Sequence, residues 1–107
     1  MKLAIAATTA DSQGGISRHG ARADCYLVFD ESGVQLDVIH NPFKDYDRAV
    51  GLRVADYLAE NGITVVAAAH LGGGFIRALE AKGIRYAECE GAVEAVAKEI
   101  AARFGTR

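Results

Sequence analysis

The stretch ITVVAAAHLGGG, residues 63–74, decides the fold class of this chain. Its first part, Ile63–Ala69, is a continuous run of β-branched and alanine residues, which is typical of a strand buried on both faces of a parallel sheet. The glycines Gly72–Gly74 then lead into an apolar-periodic segment, about Phe75–Lys82, that has the pattern of a helix. A buried strand, a glycine turn and a helix in this order predict an α/β architecture with right-handed crossovers.

Upstream of this stretch, the sequence predicts three more strands. Leu3–Ala7 is a short apolar strand, and the long, polar, glycine-bearing segment Thr8–Ala23 follows it. Long loops of this kind in a small domain tend to be functional or mobile. Cys25–Asp30 and Val34–Ile39 are predicted strands, because Glu31–Gly33 between them has the length and composition of a hairpin turn.

Two further helices are recognised by a change in hydrophobic period. One is predicted from about Asp45 to Asn61, with Asp45 and Asp47 as its start signal. Ile84–Glu88 is the last predicted strand, and the final helix carries Glu90 near its start, where the helix dipole favours negative charge. The apolar face of that helix comprises Val93, Val96, Ala97, Ile100 and Phe104.

The element order is therefore βββαβαβα, in a single domain over residues 1–107. Crossover helices that pack on a mostly parallel sheet, with both faces of the sheet covered, give three layers. This is the order of a ribonuclease H-like α/β/α fold, with a mixed five-stranded sheet in the order 3-2-1-4-5. Strands one, three, four and five then run one way, and strand two runs against them.

The composition indicates a folded globular protein and excludes several functional classes. The chain has 107 residues, of which 50% are hydrophobic and 24% charged, enough to bury a core. A net charge of −2 leaves no basic excess to neutralise nucleic-acid phosphates. The apolar run near the N-terminus stops at Thr8, too short for a signal peptide or a membrane span, so a cytoplasmic protein is expected.

All residues that could act as soft metal ligands lie next to predicted strand ends at one edge of the sheet. Imidazole and thiolate bind transition metals and iron–sulfur species, and open α/β sheets usually bind ligands at this edge. His19, His70 and Cys89 belong to the more central strands and form the expected ligand set, while the other two are peripheral. The complete set is His19, Cys25, His40, His70 and Cys89.

Each of these features also has a purely structural interpretation. Free cysteines are among the most buried residue types, so Cys25 and Cys89 also fit the core. Strand spacing puts them roughly 14 Å apart, too far for a disulfide. His40 fits a hairpin end, and local backbone groups could satisfy His70. The glycines Gly72–Gly74 could serve only close packing of helix on strand.

A nuclease or phosphotransferase function, which the fold order raises, needs carboxylates on the central strands to hold a divalent metal. The first strand, Leu3–Ala7, offers only apolar side chains. Asp11 and Asp24 lie near the same edge without a matching central carboxylate. The sequence has no nucleophile elbow, P-loop lysine or dinucleotide fingerprint. We therefore expect a protein that is not an enzyme.

Four short motifs relate the chain to a known family: Lys2–Ala6, Ser17–Ala23, Tyr26–Asp30 and Gly72–Gly74. Through them the chain resembles, from end to end, the dinitrogenase iron-molybdenum cofactor biosynthesis family, the nitrogenase accessory proteins of the NifX and NafY type. The resemblance implies a protein that binds and carries or transfers an iron–sulfur or iron–molybdenum cofactor, or its precursor. It also implies that His19 contacts the cluster directly.

Such a cofactor is anionic, so its site should offer positive charge and backbone donors. Arg18 and Arg22 flank His19, and a glycine turn at a helix N-terminus presents free N–H groups. Cofactor binding is therefore predicted at His19, Arg18, Arg22, Gly72, Gly73 and Gly74.

Two functions from different classes remain open. In the first, the cluster is bound transiently and passed between donor and acceptor proteins, by a monomer or by a weak homodimer formed through the exposed edge strand Val34–Ile39. In the second, the chain is a regulatory or scaffold module that binds a small anion or a partner protein at the same edge without metal. Neither function is expected to involve nucleic acid or a membrane as a partner.

Overall fold

The computed structural model describes residues 1–104, and within them the chain forms five strands and three helices. No helix in this part of the chain has the length and apolar character that crossing a bilayer requires. The predicted order βββαβαβα is confirmed. The elements are β1 (Lys2–Ala7), β2 (Cys25–Asp30), β3 (Gln35–His40), α1 (Val50–Glu60), β4 (Val65–Ala68), α2 (Gly73–Ala81), β5 (Arg85–Glu88) and α3 (Val93–Phe104).

The five strands form one mixed sheet in the order β3-β2-β1-β4-β5, as predicted. Strand β2 pairs antiparallel with β1 and with β3, whereas β1, β4 and β5 run parallel. Residues 3–6 of β1 are fully buried because this strand lies at the centre of the sheet. The predicted α/β class with a 3-2-1-4-5 sheet is therefore confirmed.

Side chains that alternate along β1 divide the core between two helical layers. Ala4 belongs to the cluster that includes Leu58 of α1, and Leu3 belongs to the cluster that includes Ile100 of α3. All four are fully buried. Burying a leucine or isoleucine contributes about 1.5–3 kcal/mol relative to exposure. Helices α1 and α2 thus cover one face of the sheet, and α3 covers the other.

Helix α1 begins at Val50, later than the predicted start at Asp45. Residues 42–49 form turns instead, and Ala49 leads into the helix with a left-handed φ of 57°. Asp45 and Asp47 are exposed residues of these turns, so neither caps the helix. Within residues 1–104, no side chain caps the start of α1, and its first turn contains no acidic residue.

The turns before α1 are organised around a half-buried aromatic ring. The Phe43 ring packs edge-on against Tyr46, with centroids 5.2 Å apart, and against Tyr57, with centroids 5.8 Å apart. The Tyr46 N–H also donates to the Phe43 carbonyl at 3.0 Å. Such ring pairs contribute about 0.5–1.5 kcal/mol each beyond area burial, which favours the turns over an earlier helical start.

The other boundaries differ from prediction by one to a few residues. Strand β3 begins at Gln35 because the Asp30 carboxylate accepts the Val34 N–H at 3.0 Å and extends the hairpin turn. Helix α3 begins at Val93, so Glu90 precedes the helix and does not lie in its first turn. Differences of this size leave the layers and the strand register unchanged.

Tyr26 places a polar group in the core between the sheet and α1/α2. Its side chain is fully buried, and its hydroxyl donates to the Gly20 carbonyl at 2.5 Å. Burial raises the pKa of Tyr26 far above its ordinary value, and nearby Cys25 raises it slightly further. The hydroxyl therefore stays protonated and remains a hydrogen-bond donor.

Above about pH 10, the free energy of unfolding should fall as pH rises, because the unfolded chain then loses a Tyr26 proton that the folded protein retains. The slope from this group is at most about 1.4 kcal/mol per pH unit. Urea unfolding of the parent and of Tyr26→Phe at several pH values above about 10 measures this slope. The variant should show a shallower decline, and it should be roughly 1 kcal/mol less stable at neutral pH. Tyr46→Phe, at an exposed position, is the control; identical slopes in the parent and Tyr26→Phe would contradict the assignment.

The N-terminal ends of α1 and α2 touch at Gly51. A Cβ at this position would lie 3.1 Å from Cα and 3.2 Å from N of Phe75. Glycine at position 51 therefore permits the close approach. As a result, the two helices begin side by side at one edge of the sheet.

Gly51→Ala should destabilise the protein by roughly 1–3 kcal/mol, because the added methyl group meets backbone that cannot move freely. Gly74→Ala is the matched control, since Gly74 is likewise the second residue of its helix and a Cβ there meets nothing within 4 Å. That variant should be stabilised by about 0.5–1 kcal/mol through helix propensity. Thermal or urea unfolding compares the two, and equal effects would refute a close α1–α2 contact.

Candidate functional site

The carboxyl ends of β1, β3, β4 and β5 and the beginning of β2 lie at the same edge of the sheet. We call this edge the rim; it comprises residues 8–25, 40–49, 69–74 and 89–92. The three histidines on it are exposed, Cys25 is buried and Cys89 is half-buried. The rim therefore contains every soft ligand, in the positions expected from the strand directions, but the individual side chains differ in access.

The long segment after β1 is anchored at Ser17. Strands β1 and β4 pair only as far as Ile5 and Ala67. Beyond that point, the Ser17 N–H donates to the Ala6 carbonyl at 2.7 Å, and the Ser17 carbonyl accepts from the Ala69 N–H at 3.0 Å. Ser17 thus joins the ends of the two strands and is only 4% exposed. The sheet therefore holds the segment at this residue.

The first half of the same segment covers the start of α3. The Gly14 carbonyl accepts from the Val93 N–H at 2.9 Å, and the Ser12 carbonyl accepts from the Glu94 N–H at 2.8 Å. Backbone N–H groups in the first turn of a helix have no partner within the helix. At α3 these groups are occupied by the loop, so this helix start offers little to a ligand.

His19 lies between two anchors of the segment. Ser17 Oγ accepts from the His19 N–H and donates to the His19 carbonyl, each at 3.2 Å, and the Gly20 N–H donates to the His70 carbonyl at 2.9 Å. The backbone of His19 is therefore fixed. Its imidazole is exposed and, within residues 1–104, has no hydrogen-bond or ion-pair partner, as is also true of the Arg18 guanidinium. Both side chains are free to meet a ligand.

The next residues, 20–24, are held from the side of β2 and β3. The Asn41 side-chain amide donates to the carbonyls of Ala21 and Ala23 at 2.9 and 3.0 Å, while Tyr26 holds the Gly20 carbonyl. Neither anchor is predicted from the sequence. The available signals were a tyrosine hydroxyl inside an apolar strand and an amide side chain directly after β3.

A pocket of about 450 Å³ opens on the α1/α2 side of the rim. Arg22 lines it, and its Nη1 donates to the Lys44 carbonyl at 2.7 Å, which limits the motion of the guanidinium. The pocket also contains the first turns of α1 and α2; within residues 1–104, neither helix start has a side-chain cap or an early acidic residue. Two uncapped helix N-termini and an arginine favour an anion here. The lining residues are Ala21, Arg22, Ala49, Val50, Gly51, Leu52, Leu71, Gly72, Gly74 and Phe75.

The predicted glycine turn forms one wall of this pocket. Gly72 and Gly74 line it, and Gly73 begins α2 between them. Gly72 has a φ of 80°, a left-handed conformation that favours glycine. The opposite wall, the start of α1, was not predicted. The predicted helix began at Asp45, which put Val50 in the helix interior and not at its start. Gly51 within the helical pattern was nevertheless a signal that another backbone segment packs closely against this helix.

His70 lies beside the His19 loop and is exposed. Its Nδ1 is 3.5 Å from Glu88 Oε2, and the same oxygen accepts the Leu71 N–H at 3.0 Å. A carboxylate beside one imidazole nitrogen is an arrangement that leaves the other nitrogen available to a metal. Of the two interpretations of His70, its exposure and carboxylate partner fit a ligand better than a histidine satisfied by backbone.

The cysteines lie on the other side of the sheet. Cys25 and Cys89 both pack with the α3-side core, and both are free thiols. Burial raises the pKa of each thiol, with a further rise from Asp24 at Cys25 and from Glu99 at Cys89, where Arg103 opposes it. The thiolate form that metals bind is therefore disfavoured at both positions.

The structure does not bring the three predicted metal ligands into one chelate. Within residues 1–104, no group of three or more His, Cys, Asp or Glu side chains is placed to hold a metal ion. His19 and His70 are neighbours through the Gly20–His70 hydrogen bond, whereas Cys89 packs on the α3 side. Joint binding of one cluster by His19, His70 and Cys89 stays a prediction.

Two solved structures share this fold at low sequence identity. The apo form of the orange protein from Desulfovibrio gigas superposes with a TM-score of 0.88 at 22% identity, over 95% of this chain and 88% of that one. A Thermotoga protein provisionally assigned as NifB, solved by NMR, superposes with a TM-score of 0.77 at 22% identity, over 96% of this chain and 88% of that one. Identities this low show the common fold alone.

The sequence itself places the chain in a family. Among curated proteins, no sequence matches it. The family model described as dinitrogenase iron-molybdenum cofactor matches residues 1–103, nearly the whole chain. This chain therefore belongs to the dinitrogenase iron-molybdenum cofactor family.

Proposed function

We propose that this protein binds an iron–sulfur or iron–molybdenum cluster, or a precursor, at the rim and carries or transfers it without catalysing a reaction. Family membership links the chain to the binding or biosynthesis of the iron–molybdenum cofactor. The observation that carries the proposal is the exposed, unpartnered imidazole of His19, held on fixed backbone at the same rim as the Arg22 pocket.

The proposed site contains one set of residues that binds the metal of the cluster and another that binds its negative charge. His19 supplies an imidazole nitrogen ligand to a metal of the cluster. Arg18 and Arg22 balance its negative charge, and the glycine turn Gly72–Gly74 offers backbone N–H groups from the start of α2. One or two imidazole ligands exchange more readily than four fixed thiolates, which suits a protein that must release its cargo.

His70 is the second proposed ligand, and Cys89 is a third that needs rearrangement. The His70 imidazole is exposed, and the His70 carbonyl accepts from the N–H of Gly20, the residue next to His19. Cys89 would first have to turn away from the α3-side core and lose its proton. We therefore assign the initial contact to the histidines.

The partners we propose are a cluster donor and a cluster acceptor, with the protein acting in the cytoplasm as a monomer or weak homodimer. Strand β3 is an open edge, which is the obvious route to pairing between copies. However, the Asp37 carboxylate accepts the Val38 N–H at 2.8 Å and so competes with any added strand. A net charge of −2 also disfavours nucleic acid.

A second candidate function is a regulatory or scaffold module that binds a small anion without metal. The pocket itself favours this alternative, because two helix N-termini and Arg22 would accept phosphate or sulfate as well as a cluster. The two functions differ in what they require of His19, since a cluster metal needs a nitrogen ligand and a simple anion does not.

His19→Ala should weaken cluster binding at least tenfold, a loss of about 1.4 kcal/mol or more, because the variant removes the nitrogen ligand and leaves the anchored backbone intact. His40→Ala is the matched control, an exposed histidine on the same rim at the end of β3. Anaerobically prepared proteins are incubated with an iron–sulfur or molybdenum–sulfur cluster, and co-eluting iron and molybdenum are quantified after gel filtration. If nothing co-elutes with the parent, or if His19→Ala retains as much as the parent, the proposed site is wrong.

Gly74→Asp should separate ligand binding from stability. A carboxylate in the first turn of α2 stabilises the helix by about 0.3–1 kcal/mol, whereas its charge in the pocket should weaken binding of an anionic cluster about tenfold. Gly74→Asn is the neutral control of equal size, and a Cβ at this position meets nothing within 4 Å. Unfolding and cluster titration are measured on the same samples. Equal cluster affinities for the two variants would place the anion outside this pocket.

A further inference from the structure

We infer that Asn41 is a positioning residue for the ligand site: its buried side chain holds Arg22 at a set distance from the start of α1. The inference rests on the proposed function, because it concerns how the same site is built. Asn41 has no access to the ligand itself, since the residue is only 7% exposed. It acts through the backbone segments that it joins.

The Asn41 side chain makes its three shortest hydrogen bonds to backbone, and its Nδ2 also lies 3.4 Å from the Tyr26 hydroxyl oxygen. Its Nδ2 donates to the carbonyls of Ala21 and Ala23 at 2.9 and 3.0 Å, and its Oδ1 accepts from the Phe43 N–H at 2.9 Å. A primary amide has two N–H donors and one acceptor oxygen, so one side chain bonds both segments simultaneously. Few other side chains could supply donors and an acceptor in this arrangement.

The two bonded carbonyls belong to the residues on either side of Arg22. On the other segment, the Lys44 carbonyl receives the Arg22 guanidinium at 2.7 Å, and the Lys44 ammonium pairs with Asp24. Residues 21–24 and 41–44 are thus joined at several points, and Asn41 is the buried one among them. The exposed contacts are individually weak, so the buried amide is the stronger constraint.

The segment that Asn41 joins to Arg22 continues into α1. Residues 42–49 lead directly to Val50, whose helix start forms one wall of the pocket, while Arg22 forms another. The separation of these walls decides whether a single anion can contact both. Gly20 has two further anchors, the His70 carbonyl and the Tyr26 hydroxyl. Loss of Asn41 should therefore loosen residues 21–24 locally and leave the sheet intact.

The test compares Asn41→Leu with Asn61→Leu in the 107-residue chain. Asn61 is a matched control because its Nδ2 also donates to a backbone carbonyl, that of Tyr57 at 2.8 Å, at the end of α1 remote from the pocket. Asn41→Leu removes the side-chain partner of the Ala21 and Ala23 carbonyls and should lose about 1–3 kcal/mol of stability. Asn61→Leu should lose less, because the Tyr57 carbonyl still accepts from the backbone N–H of residue 61 at 3.2 Å. The probe is tetrathiomolybdate, a molybdenum–sulfur dianion whose visible absorption reports its environment, and NMR order parameters report the backbone of residues 21–24.

We expect Asn41→Leu to bind tetrathiomolybdate at least fivefold more weakly, with an altered absorption band for the bound anion. Order parameters of residues 21–24 should fall from about 0.85 towards 0.6. Asn61→Leu should match the parent in all three readouts. A folded Asn41→Leu protein with parental affinity and parental order parameters overturns the inference. If the parent itself fails to bind, the proposed function fails separately, and the order parameters alone decide: a fall supports the positioning role, and no change overturns it.

Discussion

The backbone of Ser17 between the ends of β1 and β4 is the constraint on which the rest of the rim depends. Ladder pairing between these strands stops at Ile5 and Ala67, which leaves the Ala6 carbonyl and the Ala69 N–H without strand partners. A buried backbone group without a partner costs about 1–3 kcal/mol, so the loop that satisfies both is strongly favoured. Because Ser17 does so, His19 is presented above the centre of the sheet on fixed backbone.

The same loop also determines the distribution of charge around the rim. Its first half occupies the N–H groups at the start of α3, while the starts of α1 and α2 stay uncapped within the described residues 1–104. The free thiols lie on the α3 side and have raised pKa values. An anionic ligand is therefore favoured on the α1/α2 side, together with Arg22. This asymmetry is why the site fits exchangeable imidazole and backbone contacts better than a closed thiolate cage.

Local pattern was sufficient to predict the element order, and the strand order followed from the known fold that has this element order. It was also sufficient to place the histidines at one rim. It did not predict the start of α1, because Phe43 packing competes with the aspartate start signal over residues 42–49. The anchors Tyr26 and Asn41 were missed for a similar reason: a hydrogen bond to a distant carbonyl has no periodic signature. The face of the sheet on which Cys89 lies depends on the strand register. The strand directions predict only the edge at which a residue lies, and not the face.

The central claim is that the cluster sits on the His19 side of the rim, over the α1/α2 pocket. Anomalous scattering from crystals of cluster-loaded protein, recorded at the iron and molybdenum absorption edges, locates the metal directly. We expect the peak within ligand distance of the His19 imidazole, on the side of the sheet that contains Arg22 and Gly72. A peak beside Cys89 or Cys25 on the α3 side, with His19 still exposed to solvent, would contradict it.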